Sequence, residues 1–456
     1  MQKLSFQDSA FLKLESDRRP FHVAGLMILK MPEDAAPGYL RRLAHHCGRL
    51  NEIWPAFDRQ LRDPETLKNT AWVDAEDYDP SRHVFHYALP QPGRMSDLLS
   101  LVSAAHERCL NRSRPLWEIH LIEGLSGNRF ALYCKVHHAV VDGVGALRMV
   151  DALFTTDPEA RIDYRRVKPL AAAHHESHGM FDGVGRIVKN LLKQYGALPQ
   201  LGNLFAHMGA DAWRGVSEAM TLPFTAPHSL FNEEVDARRR VVIADLSLSQ
   251  VRKLARHYDC TVNDILLSVC GGALRHYLIE QNALPRKSMV AGVPVSLKRG
   301  GSADGNQLSF ILCPFFTGEP DPVKRVERVR KTTRKAKREL AAMSPTASQD
   351  FANMLLMPTI ILTLSGNATR VNPVLNAIFS NVPGSRDTLY LEGAELQAIY
   401  PLSVVTDGMG LNLTVVSYRN KLCFAVTSCP TLQPGIDQLG RYLKESLKAL
   451  REAAAE

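Results

Sequence analysis

Residues 133–150, YCKVHHAVVDGVGALRMV, change their period part-way along. The run FALYCKV leading into them (130–136) is β-rich and puts Phe130, Leu132, Cys134 and Val136 on one face. GALRMVDALF (145–154) instead spaces Leu147, Val150, Leu153 and Phe154 as a helix does. A strand, a turn and a helix therefore follow one another, and His137 and His138 fall at the strand's end. Successive side chains of an extended chain point to opposite faces, so one histidine can face a cleft while the other anchors the turn. Asp142 stands where a carboxylate can accept helix-start N–H groups, and Gly143 relieves the turn of a side chain.

Two internal comparisons weigh this pattern. His45-His46 lies inside an amphipathic helical pattern, YLRRLAHHCGRL (39–50), with no Asp-Gly after it, and reads as packing or surface. His178, Asp182, Gly183 and Gly185 repeat the spacing of His138, Asp142, Gly143 and Gly145. No strand signal precedes that copy and the adjacent histidine is missing, so it lacks the context a motif needs. For residues 137–143 themselves, three readings compete. A metal site needs converging imidazoles, whereas neighbours on an extended chain diverge and no His-Glu-x-x-His helix accompanies them, so no metal is expected. A structural turn accounts for Asp142 and Gly143 but not for two titratable rings. A general base accounts for the rings: a histidine titrating near neutrality can take a proton from a hydroxyl and return it to a leaving group.

Working outward, residues 1–165 alternate strand-like runs such as HVAGLMIL (22–29) with helical patterns such as SDLLSLVSAAHERCL (96–110), a mixed α/β texture. Residues 166–236 loosen into His-, Gly- and Pro-punctuated sequence with one or two helices, expected to form a connector. Residues 237–456 return to α/β, from the strand RRVVIADLSL (239–248) to LNLTVVSY and KLCFAVTSC, a hairpin across Arg419 and Asn420. A chain of 456 residues fits about two or three domains. The expectation is two related α/β domains facing each other, with ligands at their interface.

Composition narrows the partners. The eight cysteines are scattered without a C-x-x-C pair, as in a reduced cytoplasmic protein. MQKLSFQDSAFLKLE has no secretory pattern, and the longest apolar stretch, 351–364, is broken by Asn353 and Pro358 and falls short of the ~20 residues of a membrane span. The net charge is +8, with nine Lys or Arg against Glu327 over residues 324–338. Such a run is a solvated helix face or attracts an anionic membrane or a phosphate-rich ligand. Nucleic acid is not expected, since no aromatic residues interleave it and no reader motif appears.

HHAVVDG resembles the His-His-x-x-x-Asp-Gly signature of the acyltransferases that include chloramphenicol acetyltransferase and the peptide-synthetase condensation domains. With Pro115-Leu116-Trp117, Asn263-Asp264, Pro294-Val-Ser-Leu-Lys298, Gly305-Asn306, Asn381-Val-Pro-Gly384 and Gly410-Leu-Asn412, nearly the whole chain is similar to the bacterial wax ester synthase and diacylglycerol acyltransferase family. The resemblance implies two chloramphenicol-acetyltransferase-like α/β domains with a substrate tunnel between them. Fatty acyl-CoA is a substrate rather than a cofactor, a long-chain alcohol or diacylglycerol is the acceptor, and no cofactor is needed. It makes His138 the general base, with His137 and Asp142 in support. Pro115, Trp117, Asn381 and Gly384 are expected to be structural, Asn381 by shaping a turn.

The tetrahedral intermediate of acyl transfer needs a donor for its oxyanion. Asn263 is the candidate, since Thr261 and Asp264 read as a capping box that places it in the first turn of a helix, near the positive end of the dipole. Its ordinary reading is a surface first-turn asparagine. Because such substrates are apolar, peripheral association with an anionic membrane or lipid-droplet surface is expected. A condensation-type enzyme with another acceptor, or a lipid- or CoA-binding protein without catalysis, are the alternatives.

Overall fold

The computed structural model describes residues 2–4, 6–67, 70–141, 149–150, 152–161, 223–297, 307–343 and 345–455. Asp142, Gly143, the copy at 178–185 and most of the connector therefore lie outside the described residues. In chain order the strands are β1 Gln2–Lys3, β2 His22–Lys30, β3 Arg59–Leu61, β4 Ala71–Asp74, β5 Val84–Ala88, β6 Trp117–Leu125, β7 Arg129–His137 and β8 Arg240–Ser247. They continue as β9 Val290–Leu297, β10 Gln307–Pro314, β11 Ala377–Pro383, β12 Tyr390–Leu391, β13 Ala394–Leu402, β14 Leu411–Tyr418 and β15 Lys421–Ser428. The helices are α1 Phe6–Leu14, α2 Tyr39–Cys47, α3 Met95–His106, α4 Leu248–His257, α5 Val262–Glu280, α6 Pro322–Ala341, α7 Pro345–Leu364 and α8 Leu439–Ala453.

Two six-stranded mixed sheets carry the fold, ordered β12-β13-β2-β7-β6-β5 and β10-β9-β11-β14-β15-β8. The first contains strands from both ends of the chain. β13 pairs antiparallel with β2, from Glu395 opposite Lys30 to Leu402 opposite Ala24. Without it β2 would show an open edge of unpaired N–H and C=O groups. Leu396, Ala398 and Leu402 also bury in the same core as Leu26 to Leu29. The sheets therefore do not divide where 1–165 and 237–456 divide the sequence.

β7 is central, flanked by β2 and β6. The alternation read from FALYCKV implies one apolar face, but both faces are covered, and Tyr133, Lys135 and His137 are as buried as Phe130. The polar face lies against the end of α3. There the Lys135 ammonium donates to the carbonyls of Ala105 (3.2 Å) and Arg108 (2.8 Å) and lies 3.2 Å from Glu118, so a cation meets the negative end of a helix. On the same layer the His22 and His106 rings meet at 3.1 Å (Nε2 to Nδ1), with the Tyr133 hydroxyl 2.7 Å from His106 Nδ1.

In the second half, α5 starts in a capping box: Thr261 Oγ1 accepts the Asp264 N–H, and the Asp264 carboxylate accepts the Thr261 N–H. β14 and β15 form the hairpin across Arg419 and Asn420, Arg419 adopting a φ of 53°. All eight cysteines are free thiols. Among the described residues no helix is long and apolar enough to cross a membrane.

Charge does not surround α6, as a reading of its basic run alone would have it. Val326, Val329, Thr332, Thr333, Ala336 and Leu340 are buried, and so is Arg325, which donates to the carbonyls of Glu319 and Pro320. Arg330 and Arg334 reach the Asp259 carboxylate at 3.3 and 3.2 Å. Period 3.6 forces this outcome, since a helix that packs must give one face to the core.

Candidate active site

The end of β7 meets the start of β2, the turn after α1 and the Pro115-Leu116-Trp117 segment. The His137 N–H donates to the Leu116 carbonyl and the His138 N–H to the Phe21 carbonyl, both at 3.0 Å, so the two histidines are pinned to different neighbours. Trp117 opens β6 fully buried, stacked on Phe57 (ring centroids 4.7 Å apart) and His83 (4.5 Å), its indole N–H donating to the Phe57 carbonyl. The buried tryptophan thus anchors the backbone that holds His137 in place.

The two rings part company as the pleat requires. His137 is fully buried. Its Nδ1 accepts the Ala139 N–H (3.0 Å) and its Nε2 lies 3.4 Å from Glu15 Oε1. His138 is half-buried, its ring centroid 4.6 Å from that of Phe11 and 6.2 Å from that of Phe21. Phe11 and Phe21 stack on each other at 5.1 Å and join an apolar cluster with Leu14, Val23, Ile360 and Val404. Ile360 comes from α7 and Val404 from the segment after β13, so both halves of the chain contribute to the cluster that Phe11 and Phe21 join.

Glu15, Arg112, Phe11 and Phe21 are site residues that sequence reasoning missed. Glu15 is buried at the end of α1. Its Oε1 accepts the Phe21 N–H (3.2 Å) and its Oε2 the Arg112 Nε–H (3.0 Å). Burial raises its pKa, but His137 and Arg112 outweigh that and hold the carboxyl below the usual range. One signal was present: an anion directly after a helix's last turn is where the dipole disfavours it, so it needs partners from elsewhere.

Asn263, Asn381 and Gly384 belong to elements of the second sheet and its core. Asn263 is half-buried in the first turn of α5, whose buried residues, such as Ile265 and Leu266, belong to the core under the second sheet. Asn381 does not shape a turn. It lies within β11, opposite Val415 of β14, and the strand runs on through Pro383. Beyond Ile378 the pairings of β11 are with β14 alone, so Pro383 falls at the strand's end, where its missing N–H is tolerated. The chain leaves the sheet at Gly384, where a Cβ would come within 2.3 Å of the Ser417 carbonyl, so only glycine fits.

Residues 4–266 match the model of the wax ester synthase/diacylglycerol acyltransferase catalytic domain, and residues 304–451 that of the C-terminal domain of the same family. A probable diacylglycerol O-acyltransferase of Mycobacterium tuberculosis is 35% identical, with 98% of each chain covered. An O-acyltransferase of Acinetobacter baylyi is 32% identical, over 100% of this chain and 98% of the relative. The solved wax ester synthase/diacylglycerol acyltransferase of Marinobacter aquaeolei superposes with a TM-score of 0.81 at 32% identity, all of both chains covered. A condensation domain of the calcium-dependent antibiotic synthetase shares the fold at a TM-score of 0.59 and 16% identity, over 100% and 96% of the chains. With both family domains matched in order and full-length relatives at this identity, the chain belongs to the wax ester synthase/diacylglycerol acyltransferase family.

Proposed function

We propose that this protein transfers a fatty acyl group from acyl-CoA to a long-chain alcohol, and to the free hydroxyl of diacylglycerol, with His138 as general base. The observation that carries the reading is the placement of His138. Its main chain is pinned at a strand end, and its half-buried ring stands against the apolar wall of Phe11 and Phe21. Neutral His138 takes the hydroxyl proton as the alcohol oxygen bonds to the thioester carbonyl carbon. The tetrahedral intermediate collapses, the C–S bond breaks, and the imidazolium returns its proton to the CoA thiolate. Ester and CoA-SH leave without an acyl-enzyme or a cofactor. Asn263 is proposed as the oxyanion donor and Asp142 as a partner that fixes the turn after the histidines. The tunnel between the halves belongs to the same proposal.

Thin-layer chromatography of the purified protein given palmitoyl-CoA with hexadecanol or dipalmitoylglycerol tests the reading. Wax ester or triacylglycerol is the expected product. Substrate binding without product would leave a lipid- or CoA-binding protein instead, and product only with amine acceptors would point to condensation chemistry. Activity in that assay is expected to survive exhaustive chelation. That His137 Nδ1 takes the Ala139 N–H and Nε2 faces Glu15 supports this expectation. A stoichiometric metal lost together with activity would overturn that expectation.

The exposed face of α6, including Lys324, Lys331 and Arg338, is proposed to dock the enzyme on an anionic membrane or lipid-droplet surface. Changing these three residues to Gln is expected to weaken sedimentation with phosphatidylserine vesicles by about 1 kcal/mol per charge, in a salt-sensitive way, and to leave the acyl-CoA KM in detergent unchanged. A raised KM with unaltered vesicle binding would transfer the role to CoA phosphates.

A further inference from the structure

We infer that Glu15 is the positioning residue of the catalytic turn: its buried carboxylate fixes the tautomer of His137 and the peptide of Phe21, and through them the place where His138 presents its ring. The inference rests on the reading of His138 as the base.

The tautomer follows from donors and acceptors. His137 Nδ1 accepts the Ala139 N–H, so it carries no proton, and the neutral ring must carry its proton on Nε2. Nε2 faces Glu15 Oε1 at 3.4 Å, and an ionised carboxylate can only accept, so it favours that tautomer and no other. The same oxygen accepts the Phe21 N–H, and the Phe21 carbonyl accepts the His138 N–H. One carboxylate oxygen therefore meets the catalytic strand end twice, by a hydrogen bond from the Phe21 N–H and by the 3.4 Å approach of His137 Nε2.

The second oxygen prevents the group from swinging away. It binds Arg112 Nε, and Arg112 Nη2 donates to the Leu12 carbonyl of α1 (2.7 Å), closing a loop back onto the helix that delivers Glu15. Both burial and the C-terminal end of α1 disfavour an anion here. The carboxyl is nevertheless held below its usual pKa, because His137 and Arg112 more than offset the burial. A packing role alone would have been met by a neutral side chain of the same size.

Glu15→Gln keeps the shape but turns an acceptor-only group into one whose NH2 must oppose either Arg112 or the donors of His137 and Phe21. We expect kcat to fall by roughly 10-fold or more with the acyl-CoA KM within about 2-fold, and Glu15→Asp, one methylene too short to span all three partners, not to rescue it. Selective nitrogen-15 labelling of histidine supplies a readout that packing would not move. In the wild type His137 should show a protonated Nε2 and a bare Nδ1, and in Glu15→Gln, where the Ala139 N–H still holds Nδ1, the Nε2 resonance should shift as its carboxylate neighbour is lost. A wild-type His137 protonated on Nδ1 overturns the inference even if Glu15→Gln fails to fold, and so does a folded Glu15→Gln enzyme with wild-type kcat. A wild type that forms no ester would instead overturn the proposed function, leaving the tautomer of His137 to decide the role of Glu15.

Discussion

His138→Ala is expected to lower ester formation by about 10²–10⁴-fold while the protein stays folded, because the proposed general base is lost. The bond that holds this residue in place is made by its main-chain N–H to the Phe21 carbonyl, which alanine keeps. The lost ring contacts include those with Phe11 and Phe21, at a half-buried position where the neighbours can close in or water can enter. Turnover of palmitoyl-CoA with hexadecanol, read beside a thermal melt, checks both halves of the statement. A folded variant with near-wild-type turnover would remove His138 from the mechanism. His137→Ala should behave differently, since it leaves a cavity and removes the ring that lies 3.4 Å from Glu15, so its loss of activity should come with a loss of stability.

Acid is expected to destabilise the protein well before its carboxylates titrate. His22 and His106 are fully buried. Burial first, then the positive groups around them, hold His22 well below the ordinary histidine value and His106 down to about 3. Both are therefore neutral in the folded state, whereas in the unfolded chain each takes up a proton near pH 6.5. Above that value neither changes the balance. As pH falls below it, the unfolded state gains protons that the folded state refuses, and stability falls by about 1.4 kcal/mol per pH unit for each histidine. For His106 this continues toward its folded value of about 3. Glu15, whose folded pKa is depressed, begins to lose its contribution only below about pH 4.3, so the window from pH 6.5 to 4.5 belongs to the histidines. Urea midpoints at pH 7, 6 and 5 should drop steadily, and His106→Asn should lessen the slope while lowering stability at pH 7. A midpoint unchanged from pH 7 to 5 would contradict this account.

How much of this could be read in the sequence depended on whether the cause was local. The strand, the paired histidines and their opposite orientations follow from period two. The capping box of Thr261 and Asp264 follows from a three-residue spacing, and the hairpin at Arg419 and Asn420 from two β-rich runs flanking a pair of turn residues. What escaped was set by partners far along the chain. The neighbour of β2 lies in residues 394–402, and Lys135 is buried only because α3 ends above it. Glu15 matters because Arg112 and His137 converge on it. Asn381 was misread because the Val-Pro-Gly after it carries a turn signal, whereas the strand persists to Pro383 and the break comes at Gly384.

The return of β13 to β2 also sets the order in which the protein can be made. As the chain leaves the ribosome, β2, β7 and β6 can pair with one another, but β2 must wait for Ala394–Leu402, far downstream. Throughout that interval the nascent protein shows a bare strand edge carrying Leu26 to Leu29, the feature that recruits other strands and seeds aggregation. His137 ends the neighbouring strand and His138 follows it, so a chain halted before residue 402 would hold the His-His pair on an unfinished sheet. Holding that edge apart from other chains during translation is a task for chaperones, and separately expressed halves should be insoluble alone and recover only when made together.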